Sequence, residues 1–126
     1  MSNVTTYKEE LLILEISETE QRIVCTFKGK SVERNPGKFL NPILSDLLME
    51  GKKKNERIFV VFTELDYMNS STIMTISKFL EKGKDTSCKI TVQYDSNRRW
   101  QKMSFNALKI FQTNDGEILF EGVTKE

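Results

Sequence analysis

A chain of 126 residues, 38% hydrophobic and 29% charged, can bury one core but not two, so one domain spanning residues 1–126 is expected, and its order of strand and helix patterns makes it α/β. A net charge of +1 argues against nucleic acid as the main partner, because phosphate backbones call for a clear basic excess. There is no histidine, which excludes His-based triads and His-ligated metal sites, and Cys25 and Cys88 are expected as reduced core thiols, the alternative being a disulfide between them.

In chain order, Leu11–Ile16 reads as a strand and the polar stretch 17–21 as a reversal. In the segment Arg22–Lys28, Ile23, Cys25 and Phe27 alternate with Val24, Thr26 and Lys28. That period of two predicts an N-terminal hairpin, its second strand closed by Gly29. Pro36-Gly37 marks a loop. Asn41 as cap and Pro42 as first helical residue predict a helix with Ile43, Leu44, Leu47 and Leu48 on its apolar face and Gly51 as its stop. The triplet Lys52-Lys53-Lys54 suits the negative end of that helix, the alternative being that it steers an acidic partner.

The stretch Arg57–Gly83 organises the rest of the chain. Its run Ile58–Phe62 predicts a strand buried on both faces. From Ser70 to Lys82, Ile73, Ile76 and Leu80 recur at helical spacing, with Met74 and Phe79 widening the stripe and Gly83 as the stop. Between strand and helix lies a turn, Leu65–Thr72, the candidate functional segment. With Asn69 as N-cap, Ser70, Ser71 and Thr72 occupy a first turn whose backbone N–H groups lack intrahelical partners. A phosphate there meets the positive end of the helix dipole and can form without melting the helix. The plain alternative is that hydroxyl residues are common at helix starts.

Cys88–Tyr94 alternates as a strand, and Asp95-Ser96-Asn97 can cap a helix over Arg98–Leu108. Its expected common face carries Trp100, Met103 and Ala107 alongside Phe105 and Leu108. Trp100 either docks this helix on its own sheet or, beside Arg98 and Arg99, anchors a partner. Asn114-Asp115-Gly116 between Ile110–Thr113 and Glu117–Phe120 signals a hairpin or turn.

The segment Leu65-Asp66-Tyr67-Met68-Asn69-Ser70-Ser71-Thr72, after a hydrophobic strand and opening an amphipathic helix, resembles the phosphorylation-site turn of STAS domains, the anti-sigma-factor-antagonist family. That family's Met-Asp-Ser-Ser-Gly-like pattern places the phosphoacceptor at Ser71, with Asn69 standing for the usual Asp and Thr72 for the usual Gly. The run is also similar to the Leu-Asp-Tyr-x-Asn-(Thr/Ser)-Ser turn of the SiaC-type regulatory phosphoproteins, a STAS-like group, which places the acceptor at Ser70. The words Phe39-Leu40-Asn41-Pro42-Ile43-Leu44 resemble the first helix of that group. The resemblance implies a STAS-like mixed sheet flanked by helices, and a partner switch. Asp66, Tyr67, Met68, Asn69 and Thr72 would line its binding surface, Tyr67 and Met68 being equally suited to the core. The implied partners are a serine kinase or anti-sigma-type kinase, a PP2C-type phosphatase and a regulated effector. The final helix of STAS domains is not expected here.

An enzyme is not expected. Asp66 with Ser70 or Ser71 is the best acid–hydroxyl pairing, and neither a His nor a nearby Lys completes it. The six glycines form no P-loop or dinucleotide turn, and no cofactor is expected. No apolar run has the length of a membrane-spanning helix and no signal-peptide pattern opens the chain, so a cytoplasmic protein without membrane contact is expected. The alternatives are a STAS-like sensor binding a nucleotide or other anion at the start of the second helix, and a purely scaffolding domain.

Overall fold

The computed structural model describes residues 3–19 and 21–124. Six strands form one sheet in the order β1 (Asn3–Glu9), β2 (Leu12–Glu18), β3 (Arg22–Ser31), β4 (Arg57–Met68), β5 (Ile90–Asp95), β6 (Ile118–Val123). Helices α1 (Gly37–Lys54), α2 (Ser70–Asp85) and α3 (Arg99–Leu108) connect the last four strands, with a single 3-10 turn at Lys109–Phe111. β1–β2 and β2–β3 pair antiparallel, and β3 to β6 run parallel. The α/β class and the mixed sheet flanked by helices are as expected. The expected reversal at 17–21 includes residue 20, which lies outside the described residues.

Parallel strands that follow one another in chain order, joined by right-handed crossovers, carry their helices on one face. Burial along β4 fits: Ile58, Val60 and Phe62 are buried, while Phe59, Val61 and Thr63 are half-buried. The strand is therefore buried on one face, and the expectation of two is corrected. Its apolar run is continuous because the second face is only partly wet, with the Arg22 guanidinium lying 5.2 Å over the Phe59 ring. On the helix face, Ile23, Ile58, Ile90 and Ile118 stand side by side across four strands, none exposed to solvent. Phe27, Phe62 and Phe105 pack onward from that row as tilted rings with centroids 4.6 and 4.7 Å apart. Cys25 and Cys88 are both free and buried, and burial pushes the Cys25 thiol up to about 12.

Several boundaries differ from the sequence reading, each for a tertiary reason. β1 was not expected, and its residues are nearly all exposed. α1 starts at Gly37, so Asn41 does not cap it and Pro42 lies inside, where proline cannot donate a helical hydrogen bond. Gly51 and Gly83 do not end their helices. Both are buried within them, where a Cβ would overlap the Cδ1 of Ile58 and of Ile90 respectively. α1 instead ends at Asn55, whose left-handed backbone (φ 52°) lets the Glu56 N–H reach the Gly51 carbonyl. On α3 the buried residues are Gln101, Phe105 and Leu108, whereas Met103 is 64% exposed. The Asp-Gly signal makes a turn and not a hairpin, since β6 runs parallel to β5. There Asp115 accepts from the Thr113 hydroxyl and the Glu117 N–H, which holds its carboxyl below the usual range.

Candidate functional site

The first half of the segment expected as a turn, Leu65–Met68, is strand. β4 pairs with β5 only from Ile58 to Val61, yet stays paired with β3 as far as Lys30–Tyr67 and Ser31–Met68. Asp66, Tyr67 and Met68 are thus the end of β4, and Asn69 alone separates strand from helix.

Beyond Val61 the β5-side carbonyls of β4 have lost their strand partner, and two residues at the start of α3 replace it. Gln101, wholly buried, donates from Nε2 to the carbonyls of Phe62 (2.6 Å) and Leu65 (2.9 Å) and accepts from the Asp95 N–H (2.8 Å). Arg98 donates to the same Leu65 carbonyl at 2.8 Å, and its other terminal nitrogen lies 3.4 Å from the Asp66 carboxylate. That pair is exposed and contributes little to stability. Gln101 was missed in the sequence because a polar helical residue carries no burial signal. Its only mark is spacing, four and seven residues before Phe105 and Leu108. Trp100 packs half-buried against the core, with the Arg98 guanidinium 5.9 Å over its ring.

On the other side, Asn69 caps α2 as expected. Its Oδ1 accepts from the Thr72 N–H (2.9 Å) and the Thr72 hydroxyl (2.7 Å), and its Nδ2 donates to the Glu33 carbonyl (2.9 Å). Since the Thr72 hydroxyl donates to Asn69, the Ser31 hydroxyl must be the donor in the buried 2.6 Å contact between Ser31 and Thr72. The Asn69 N–H completes the join to the Ser31 carbonyl.

This network separates the candidate residues. Met68 is 4% exposed and Thr72 not at all, so both are corrected from surface to support: Met68 fills the core and Thr72 is locked between Asn69 and Ser31. Asn69 is half-buried, and both its Oδ1 and its Nδ2 are engaged within the fold. Asp66, Tyr67, Ser70 and Ser71 remain exposed. Among the described residues, neither the Ser70 nor the Ser71 hydroxyl makes an intramolecular hydrogen bond. Their two backbone N–H groups belong to the first turn, where no helical acceptor exists. The site thus presents two available hydroxyls on a helix start that is held rigid by other groups. Among the described residues, no acid–base pair is hydrogen-bonded to either hydroxyl.

A family model described as SiaC family regulatory phosphoprotein matches residues 14–115. Among solved structures, SiaC of Pseudomonas aeruginosa aligns with a TM-score of 0.66 at 13% identity, covering 98% of this chain and 99% of that one. Its apo form gives 0.62 at 15% identity, again covering 98% and 99%. A structure of the diguanylate cyclase SiaD in complex with its activator SiaC, from the same organism, gives 0.57 at 15% identity, covering 93% and 99%. At these identities the likeness speaks for the fold. No curated protein sequence matches.

Proposed function

The chain belongs to the SiaC family of regulatory phosphoproteins, and from that premise we propose that it is a cytoplasmic protein whose binding to a protein partner is controlled by phosphate on Ser71 or Ser70. It is a regulator and not an enzyme. The observation that carries the reading is the division of labour at the start of α2: Asn69, Thr72 and Ser31 hold the turn, leaving Ser70 and Ser71 exposed and unengaged. A phosphate on either brings about −1.5 to −2 charges to the positive end of the helix dipole, so the helix tolerates it. A partner packed against Asp66, Tyr67 and that helix start does not, because a dianion must be desolvated and repels acidic neighbours. A serine kinase or anti-sigma-type kinase would add the group and a PP2C-type phosphatase would remove it. SiaC of P. aeruginosa is the activator of a diguanylate cyclase, which makes an enzyme of that kind the first effector to test.

Intact-mass and peptide mass spectrometry of protein from its native cells tests the reading. A phosphate on Ser71 or Ser70 is expected, lost in S70A/S71A. Both residues unmodified under every growth condition would remove the covalent switch. The free N–H groups of Ser70 and Ser71 favour one second reading, in which an anion such as a nucleotide binds there non-covalently. It requires a thermal shift on adding nucleotide that disappears in S70A/S71A.

A further inference from the structure

The outer surface of the helix layer holds a groove between α1 and α2. It consists of two hollows of about 520 and 290 Å³ that share Ser45, Leu48 and Lys82. The floor is apolar, with Leu44, Leu48 and Phe79 beneath and the exposed Met49 at the side. The rim is cationic. Lys52, Lys53, Lys78 and Lys82 line it, against Glu50 as the one carboxylate, giving 4 − 1 = +3 in a chain whose total is +1.

Two details sharpen that charge. Among the described residues, none of the four lysines has a carboxylate within ion-pair distance, and Lys52 instead donates to the Thr86 carbonyl. Lys28 and Lys54, by contrast, each pair with two carboxylates, which raises both above the usual lysine range through hydrogen bonds to Glu15 and to Glu18 first. Lys54 also draws Glu50 toward the opposite flank of α1 (3.3 Å). That flank has its own hollow, of about 600 Å³, lined by Glu18, Asp46 and Glu50. The two sides of α1 are therefore opposite in sign, and an acidic segment approaching this helix is turned to the α2 side.

We infer that the α1–α2 groove is the docking site for an acidic amphipathic helix of a protein partner, its apolar stripe on Leu48, Met49 and Phe79 and its carboxylates on Lys52, Lys53, Lys78 and Lys82. An apolar floor between cationic rims matches the helix-in-groove mode of recognition. The groove stands on its own residues; its tie to phosphorylation rests on the proposed function. Ser71, Lys78 and Lys82 fall within about 40° on the α2 wheel, whereas Ser70 is turned about 100° from Ser71. Phosphate on Ser71 therefore stands at the head of the lysine row and opposes an acidic helix, while phosphate on Ser70 faces the other flank.

The test is an amide-resolved NMR titration of the labelled full chain with two synthetic helical peptides. They share one leucine stripe and carry glutamates in one case and lysines in the other. The glutamate peptide is expected to perturb α1 and α2 amides saturably and bind at least about tenfold more tightly than the lysine peptide. Its affinity should fall with added salt. K78E/K82E changes two exposed residues and should reverse the preference with the amide spectrum otherwise intact. Equal affinity for the two peptides overturns the inference, as do shifts confined to the exposed sheet face. So does binding to phosphatidylserine vesicles without binding to the glutamate peptide, since the groove would then face a membrane. Chain carrying phosphoserine at 71 should bind the glutamate peptide several-fold more weakly, and chain carrying it at 70 should not. If the peptide binds and phosphate has no effect at either position, the groove stands and only its tie to the switch fails.

Discussion

All three helices begin at the same end of the sheet, yet their starts are built differently. α1 begins at Pro36-Gly37 and, like α3, has no side-chain cap; among the described residues none of its first-turn side chains hydrogen-bonds across the fold. α2 and α3 begin on polar side chains that reach across the fold: Asn69 to the Glu33 carbonyl, Thr72 to Ser31, Gln101 and Arg98 to the carbonyls of β4. The difference lies in what each start must hold. The loop before α1 is held from outside, by Asn69 at Glu33, whereas the start of α2 holds that loop and the end of β3, and the start of α3 takes the place of the missing strand beside β4. Rigidity here is supplied by buried polar groups around the exposed serines, not by the serines themselves.

That contrast can be broken most severely at Gln101. Q101L leaves the Phe62 carbonyl and the Asp95 N–H buried without partners, the Leu65 carbonyl keeping Arg98, and urea unfolding should show a loss of about 2 kcal/mol or more. A loss below about 1 kcal/mol would mean that β4 does not depend on α3 for those bonds. T72V keeps the shape but deprives Ser31 of its acceptor and Asn69 of one donor, for an expected loss of about 1–3 kcal/mol that T72S should largely restore. N69A removes the cap itself, about 1 kcal/mol by the same measurement. Phosphoserine at position 71 should leave the melting temperature unchanged or slightly raised, a gain of about 0.3–1 kcal/mol. A clear fall would show that the serines do help to hold the turn. P36A at the start of α1 should change stability by no more than about 0.5–1 kcal/mol, chiefly through the unfolded chain.

Local signals were readable wherever local chemistry decides. The β2–β3 hairpin, the burial of Ile23, Cys25 and Phe27, the Asn69 cap and the exposure of Ser70 and Ser71 all follow from alternation, spacing and capping preference. What escaped was set by distant contacts. Tyr67 and Met68 belong to a strand because Lys30 and Ser31 pair with them, and nothing near residue 67 announces it. Gly51 and Gly83 looked like helix stops, but each is small because an isoleucine of the following strand lies against it. The polar β1 gives no apolar alternation to detect, since it pairs along one edge only. Thr72 looked like its serine neighbours and differs from them only in facing Ser31.

The sheet order has a consequence for how the molecule assembles. Every strand lies beside its neighbours in the chain, so no strand has to be inserted between two that already touch. Such a topology can grow outward from the β3–β4 pair one helix-and-strand unit at a time, each addition closing a short stretch of chain. The reverse path is equally ordered. Fluctuations would strip β1 from one edge and β6 from the other while the isoleucine row and the start of α2 stay closed, so amide protection should decline from the middle of the sheet toward both margins.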